Sequence, residues 1–160
     1  MSRCEKLPDL IERKKYNNFE DFFNAICLEF QTFIVRNKFM GKTIHLARPE
    51  DNKTIRHIIS KENLTSHRRE VDNSRAEKIT WIKHFLDTAN CSKCINYHVW
   101  AKKAINNRNR WYIYCKQEKY VIILEENNEI LYLITAFNVT PQKDKDFEKN
   151  YKDFLKFGCK

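Results

Sequence analysis

Trp111-Tyr-Ile-Tyr-Cys-Lys-Gln-Glu-Lys-Tyr120-Val-Ile-Ile-Leu-Glu-Glu-Asn-Asn-Glu-Ile130-Leu-Tyr-Leu-Ile-Thr-Ala-Phe137 decides the fold, because it holds three β-branched and aromatic runs separated by short polar connections. Runs of this length and composition suit strands. Asn127-Asn128 suits a tight hairpin, since Asn tolerates the positive φ such a turn requires. A fourth run, Ile95 to Ala101, precedes them. The four segments, Ile95–Ala101, Trp111–Lys116, Tyr120–Glu125 and Ile130–Phe137, read as an antiparallel meander. The last two are apolar almost without interruption and therefore belong at the centre of the sheet, covered on at least one face.

Upstream the period changes. Phe19, Phe22, Phe23, Ile26, Phe30, Phe33 and Ile34 recur at helical spacing and predict a helix over Phe19 to Arg36. Gly41 breaks it, and Thr43 to Ala47 reads as a short strand. Pro49 stands where a second helix begins, with Ile55, Ile58 and Ile59 on its apolar side and Arg56, His57 and Lys61 on its polar side. After a polar loop from Asn63 to Asn73, Ser74-Arg-Ala-Glu77 has the spacing of a capping box. It would start a helix carrying Ile79, Ile82, Phe85 and Leu86 that ends near Asn90. A final helix runs from about Asp144 to Phe157, with Gly158 as its stop. The fold class is α+β, with N-terminal helices packed on one face of a four-stranded antiparallel sheet and a C-terminal helix. The other sheet face, or its rim, is left for binding. The chain is one domain, 1–160, with a helical extension at 1–42, a core at 43–139 and the C-terminal helix at 140–160.

The 160 residues carry 30 Lys and Arg against 21 Asp and Glu, a formal charge of +9. Between Lys53 and Arg110 stand thirteen Lys and Arg against five Asp and Glu, so a surplus of eight sits in one stretch. Such a stretch suits a polyanion, nucleic acid above all, although a lysine-rich surface kept for solubility has the same composition. With 42% hydrophobic residues there is enough apolar material for one core, and no apolar run is long enough for a membrane span. The first ten residues have no apolar stretch of the signal-peptide kind, so the expected location is cytoplasmic, away from membranes.

Two glycines leave no room for a dinucleotide fingerprint or a P-loop, and HExxH, the zinc-deaminase signature and a nucleophile elbow are missing too. No cofactor and no metal are expected. Cys91 and Cys94 form a single CxxC, open to three readings: turn residues, a redox pair, or half of a zinc site completed by His98 and Cys115.

What remains is a concentration of bases and cations: His57, Lys61, His67, Arg68, Arg69 and Arg75. His57 and Lys61 are four residues apart and share a face if the helix continues. RNA is cut without metal when one group takes the 2′-OH proton, another protonates the 5′-oxygen and a cation holds the phosphorane. His supplies the proton steps near neutral pH and Arg a bidentate phosphate contact. A His57 that only caps a solvated helix face, and a His67 that is only a loop residue, remain the bland alternatives. Lys102, Lys103, Arg108 and Arg110 lie in a connection flanked by Trp100 and Trp111-Tyr112. That interleaving suits single-stranded RNA, with bases stacked and phosphates paired. It equally suits a solvated hairpin tip with its aromatics in the core.

A helix His (His57), an Arg eleven residues on (Arg68), the stretch Arg75-Ala-Glu-Lys-Ile-Thr-Trp-Ile82 and then Thr135-Ala136-Phe137 stand in this order. In that order the chain resembles the Barnase–EndoU–colicin–RelE (BECR) nuclease group, in particular its phage-encoded nucleases and contact-dependent toxin domains, over about 43–139. The resemblance implies a metal-independent RNA endonuclease acting on tRNA or mRNA by 2′-OH attack, with its cleft on the sheet face. It makes His57 the general acid or base, Arg68 the phosphate clamp and Thr135 a hydrogen-bond donor at the scissile phosphate. It also implies an acidic immunity protein or antitoxin as a partner. Phe137 stands where the group often has a Tyr, which removes that hydroxyl. The alternative is a non-catalytic nucleic-acid-binding module or a phage protein-interaction domain.

Overall fold

A computed structural model of the chain describes residues 6–34, 38–89 and 97–160. In chain order the elements are α1 (Phe19–Ile34), β1 (Lys38–Phe39), β2 (Lys42–Leu46), α2 (Lys53–Ile58), β3 (Ser60–Glu62), β4 (Arg69–Val71), α3 (Asn73–Glu77), α4 (Ile79–Ala89), β5 (Tyr97–Lys103), β6 (Asn109–Cys115), β7 (Tyr120–Asn127), β8 (Ile130–Asn138) and α5 (Pro141–Phe157). The meander β5 to β8 forms as its alternation requires, and Asn128 turns the last hairpin at φ 55°.

The expected four-stranded antiparallel sheet is overturned. The sheet has six strands in the order β1-β2-β8-β7-β6-β5, and it is mixed, because β2 lies parallel to β8 with Ile44 opposite Leu131. A separate two-stranded sheet, β3-β4, takes its first strand from the end of the expected second helix and its second from the segment expected to be a polar loop. Its strands, Ser60-Lys-Glu62 and Arg69-Glu-Val71, lack apolar alternation because neither buries a face in the main core. Nor do the helices precede the sheet: α2, α3 and α4 lie in the chain between β2 and β5.

β7 shows why the second sheet face is not free. Tyr120, Ile122 and Leu124 point into one cluster with Phe22, Ile26, Ile55, Ile58 and Phe85, on the side covered by α1, α2 and α4. Val121 and Ile123 point the other way, into a cluster with Trp100, Tyr114 and Phe147, beneath α5. A strand apolar at every position has to be covered twice. α5 supplies the second cover with Phe147, Tyr151 and Phe154, and Tyr114 donates to Asp144 at 2.5 Å. The helix starts at Pro141 because Thr140 caps it, accepting from the Lys143 N–H. It stops where expected, at Gly158 with φ 74°.

Two local expectations also move. Asp72, not Ser74, is the N-cap of α3, accepting from Arg75 N, and Glu77 instead accepts from Arg13 N at 2.8 Å. The helix then breaks at Lys78 before α4 begins. α1, read as part of an extension, contributes Phe22, Phe23, Ile26 and Phe30 to the main cluster. Among the described residues no helix is long and apolar enough to cross a membrane.

Candidate phosphate-binding cleft around His57

A cleft of about 370 Å³ opens where α2, the start of α1 and the β3–β4 hairpin meet. Its lining includes Phe19, Arg48, Lys53, Arg56, His57, Ser60 and Arg69 and contains no carboxylate. α2 ends at Ile58, so Lys61 falls on β3 rather than one helical turn beyond His57. The expected shared face for His57 and Lys61 is therefore lost, and Lys61 pairs with Asp72 at 3.3 Å.

Alternation in the β3–β4 hairpin decides which arginine reaches His57. Ser60 pairs with Val71 and Glu62 with Arg69, so these four share one side. Arg68, one residue earlier, takes the register position on the other side. Arg69 donates from Nη2 to the carbonyls of His57 (3.0 Å) and Ser60 (2.6 Å), and from Nε to Ser60 Oγ (3.0 Å). Ser60, 7% exposed, donates in turn to the Arg56 carbonyl at 2.7 Å, and Arg75 Nη1 donates to the Ser60 carbonyl at 2.8 Å. The Arg69 guanidinium is held by neutral oxygens, which fix its plane and leave its charge uncancelled. Arg48 is pinned through its backbone by buried Thr54, whose Oγ1 accepts from Arg48 N at 2.7 Å and donates to its carbonyl at 3.0 Å. Arg56 lies over the Phe23 ring at 4.4 Å.

His57 is half-buried at the centre of these cations. Burial first, then Arg69, Arg48 and Arg75, hold its imidazole below the ordinary value of 6.5. It is therefore mainly neutral at pH 7, with a lone pair able to take a proton. Among the described residues its ring has no hydrogen-bond partner. A neutral imidazole beside an oriented guanidinium is the arrangement needed to grip a phosphodiester and remove a nearby hydroxyl proton.

The other expected site residues are dispersed. Thr135 pairs with Ile123 at the β-bulge on the α5-covered face, whereas α2 and His57 lie on the opposite side of the sheet. His67 is exposed at the hairpin turn with φ 55°, 3.7 Å from Glu62. Arg75 reaches from Ser60 to the face of Phe137, 5.6 Å from the ring centroid, so the Phe137 ring serves as a cation platform. Lys102, Lys103, Arg108 and Arg110 sit at the far edge and the opposite end of the sheet, so the basic stretch forms two patches. Arg108 and Arg110 are paired with Glu125, at 3.4 and 2.9 Å. Burial raises the Glu125 carboxyl, but bonds from Arg110, Asn106 and Arg108 outweigh it and hold it below the ordinary range.

Cys91 and Cys94 lie outside the described residues. The zinc set is nonetheless broken, because Cys115 is buried in the cluster under α4 while His98 stacks on Tyr151 of α5 at 4.1 Å, on the other sheet face. Arg48 and Ser60 were not singled out from sequence. Arg48 stands alone before Pro49, and Ser60 shows its role only once the hairpin folds. No family model, curated protein or solved structure matches the chain.

Proposed function

We propose that the protein is a metal-independent RNA endonuclease of toxin-like or phage-encoded type. His57 takes the 2′-OH proton, and Arg69, helped by Arg48, holds the phosphate as it becomes pentacoordinate. The 2′-oxygen bonds to phosphorus as the bond to the 5′-oxygen breaks, and the leaving 5′-oxygen takes its proton from solvent water, so the products are a 2′,3′-cyclic phosphate and a free 5′-hydroxyl. The observation that carries the reading is the Arg69 guanidinium, oriented on the His57 and Ser60 carbonyls with no carboxylate to neutralise it, beside an imidazole kept neutral. The BECR resemblance supports it through His57 and the Arg75 to Ile82 stretch, with Arg69 taking the clamp role that the resemblance gives to Arg68. Within this reading tRNA or mRNA in the cytoplasm is the substrate, and an acidic immunity protein or antitoxin is the partner that fits the cleft.

The test is incubation of purified protein with total RNA and tRNA in EDTA. Cleavage by the wild type and its loss in His57→Ala support the proposal; intact RNA with and without divalent metal removes it. A second reading, an RNA-holding module without chemistry, is favoured by the dispersal of Thr135 and Arg68 away from His57. It predicts salt-dependent binding that survives His57→Ala.

A further inference from the structure

Of the aromatics expected to stack bases at the β5–β6 hairpin, Trp100 is committed to the core. Trp100 is 1% exposed and lies flat on Tyr112, with ring centroids 5.1 Å apart. Beside Trp100, however, a groove of about 410 Å³ runs between edge strand β5 and the last turns of α5, lined by Lys102, Lys149, Phe154, Phe157 and Lys160. Contacts of residues 158–160 shape this groove. Gly158 turns the backbone at φ 74°, Lys103 N donates to the Lys160 carbonyl at 2.9 Å, and Cys159 Sγ lies 3.5 Å from Asn109 Oδ1. Phe157 and Lys160 are thereby held against β5.

Two features define the occupant. Phe157 is 58% exposed, and the ammonium groups of Lys156 and Lys160 stand over its ring, 5.7 and 4.5 Å from the centroid, so an exposed aromatic ring is surrounded by cations. Lys102, Lys149 and Lys160 have no carboxylate partner among the described residues, and one carboxylate, Asp153, shares the lining. An acidic peptide would use the lysines and leave the exposed ring idle. A single-stranded nucleic acid uses both, stacking a base on the ring and placing phosphates on the lysines. We infer that this groove is a second RNA site, binding single-stranded RNA with a base on Phe157 and phosphates on Lys102, Lys149 and Lys160. The choice of RNA over DNA rests on the proposed function; the stacking and phosphate contacts do not. Lying towards the β5 edge, away from α2, the groove would hold a part of the strand remote from the reacting phosphate.

The probe is a fluorescein-labelled 2′-O-methyl-oligouridine dodecamer, which cannot undergo 2′-OH attack, followed by anisotropy with the full chain. Phe157→Ala weakens binding by about fivefold to a hundredfold. Phe157→Trp restores it, and Lys149→Glu weakens it and flattens the salt dependence. Phe157 is exposed, so an unchanged thermal melt checks that its variants fold. Arg69→Ala separates the two sites: a roughly tenfold to hundredfold fall in RNA cleavage with dodecamer binding retained supports the groove whatever becomes of the cleft. Wild-type dodecamer binding by both Phe157→Ala and Lys149→Glu overturns the inference. So does a Phe157→Ala variant that loses affinity for polyglutamate and for the dodecamer equally, since that marks a general acidic-partner surface.

Discussion

The two cationic regions differ in what holds their arginines. At the α2 cleft Arg69 is oriented by the carbonyls of His57 and Ser60 and by a hydroxyl. At the β5–β6 hairpin Arg108 and Arg110 are held by the carboxylate of buried Glu125. Both arrangements order a guanidinium, and only the first leaves its charge available to a ligand. A formal surplus of eight over one stretch of sequence counts these arginines alike. The fold separates them, and of these arginines the one left free to act on a ligand is the one that carbonyls, not carboxylates, hold.

The comparison can be broken or sharpened by substitution, beginning with the largest expected effect. His57→Ala lowers RNA cleavage by about 10² to 10⁴, the usual loss for a general acid or base, read as kcat/KM on a defined RNA. Arg69→Ala removes charge-assisted contacts and lowers kcat/KM by roughly tenfold to a hundredfold. Arg110→Ala, at the neutralised region, changes it less than twofold; equal losses from the two arginine variants would erase the distinction. Glu125→Ala leaves two arginines without their partner, lowers stability by about 1–3 kcal/mol in denaturant titration, and steepens the salt dependence of RNA binding.

The smallest effect is on pH. A base must be neutral, and His57 is neutral above a value held under 6.5 by burial, Arg69, Arg48 and Arg75. The wild-type kcat/KM therefore rises along a limb below pH 6.5 and is flat at neutrality. Arg69→Ala removes one of the charges pushing that value down, so the limb of the residual activity moves upward. The same depression means that the unfolded chain takes up this proton first. His57 therefore favours the folded state above pH 6.5, and that contribution is lost as pH falls.

Strands β5 to β8 were legible because their alternation and their connections are local properties, and α1 and α5 because their apolar stripes repeat at helical spacing. The parallel pairing of β2 with β8 was not, since Thr43 to Ala47 carries nothing that selects a partner strand. β3–β4 was missed because a solvated hairpin has no buried face to leave a periodic trace. The stripe of α5 is visible in the sequence, yet its place on the second sheet face follows only from the complete apolarity of β7, which is buried on both sides. Within the site, His57, Arg69 and Arg75 stood out by residue type. Choosing between Arg68 and Arg69 needed the hairpin register, which changes sides with every residue.

The central claim is that the His57 cleft performs 2′-OH attack on RNA. Its most direct test is an oligoribonucleotide containing the mapped cleavage site, compared with the same strand bearing one 2′-deoxy substitution at that position, both in EDTA. The account predicts a 2′,3′-cyclic phosphate end from the first and no cut at the substituted position in the second. Cleavage of the substituted strand at that position, or a 3′-hydroxyl product, would contradict it.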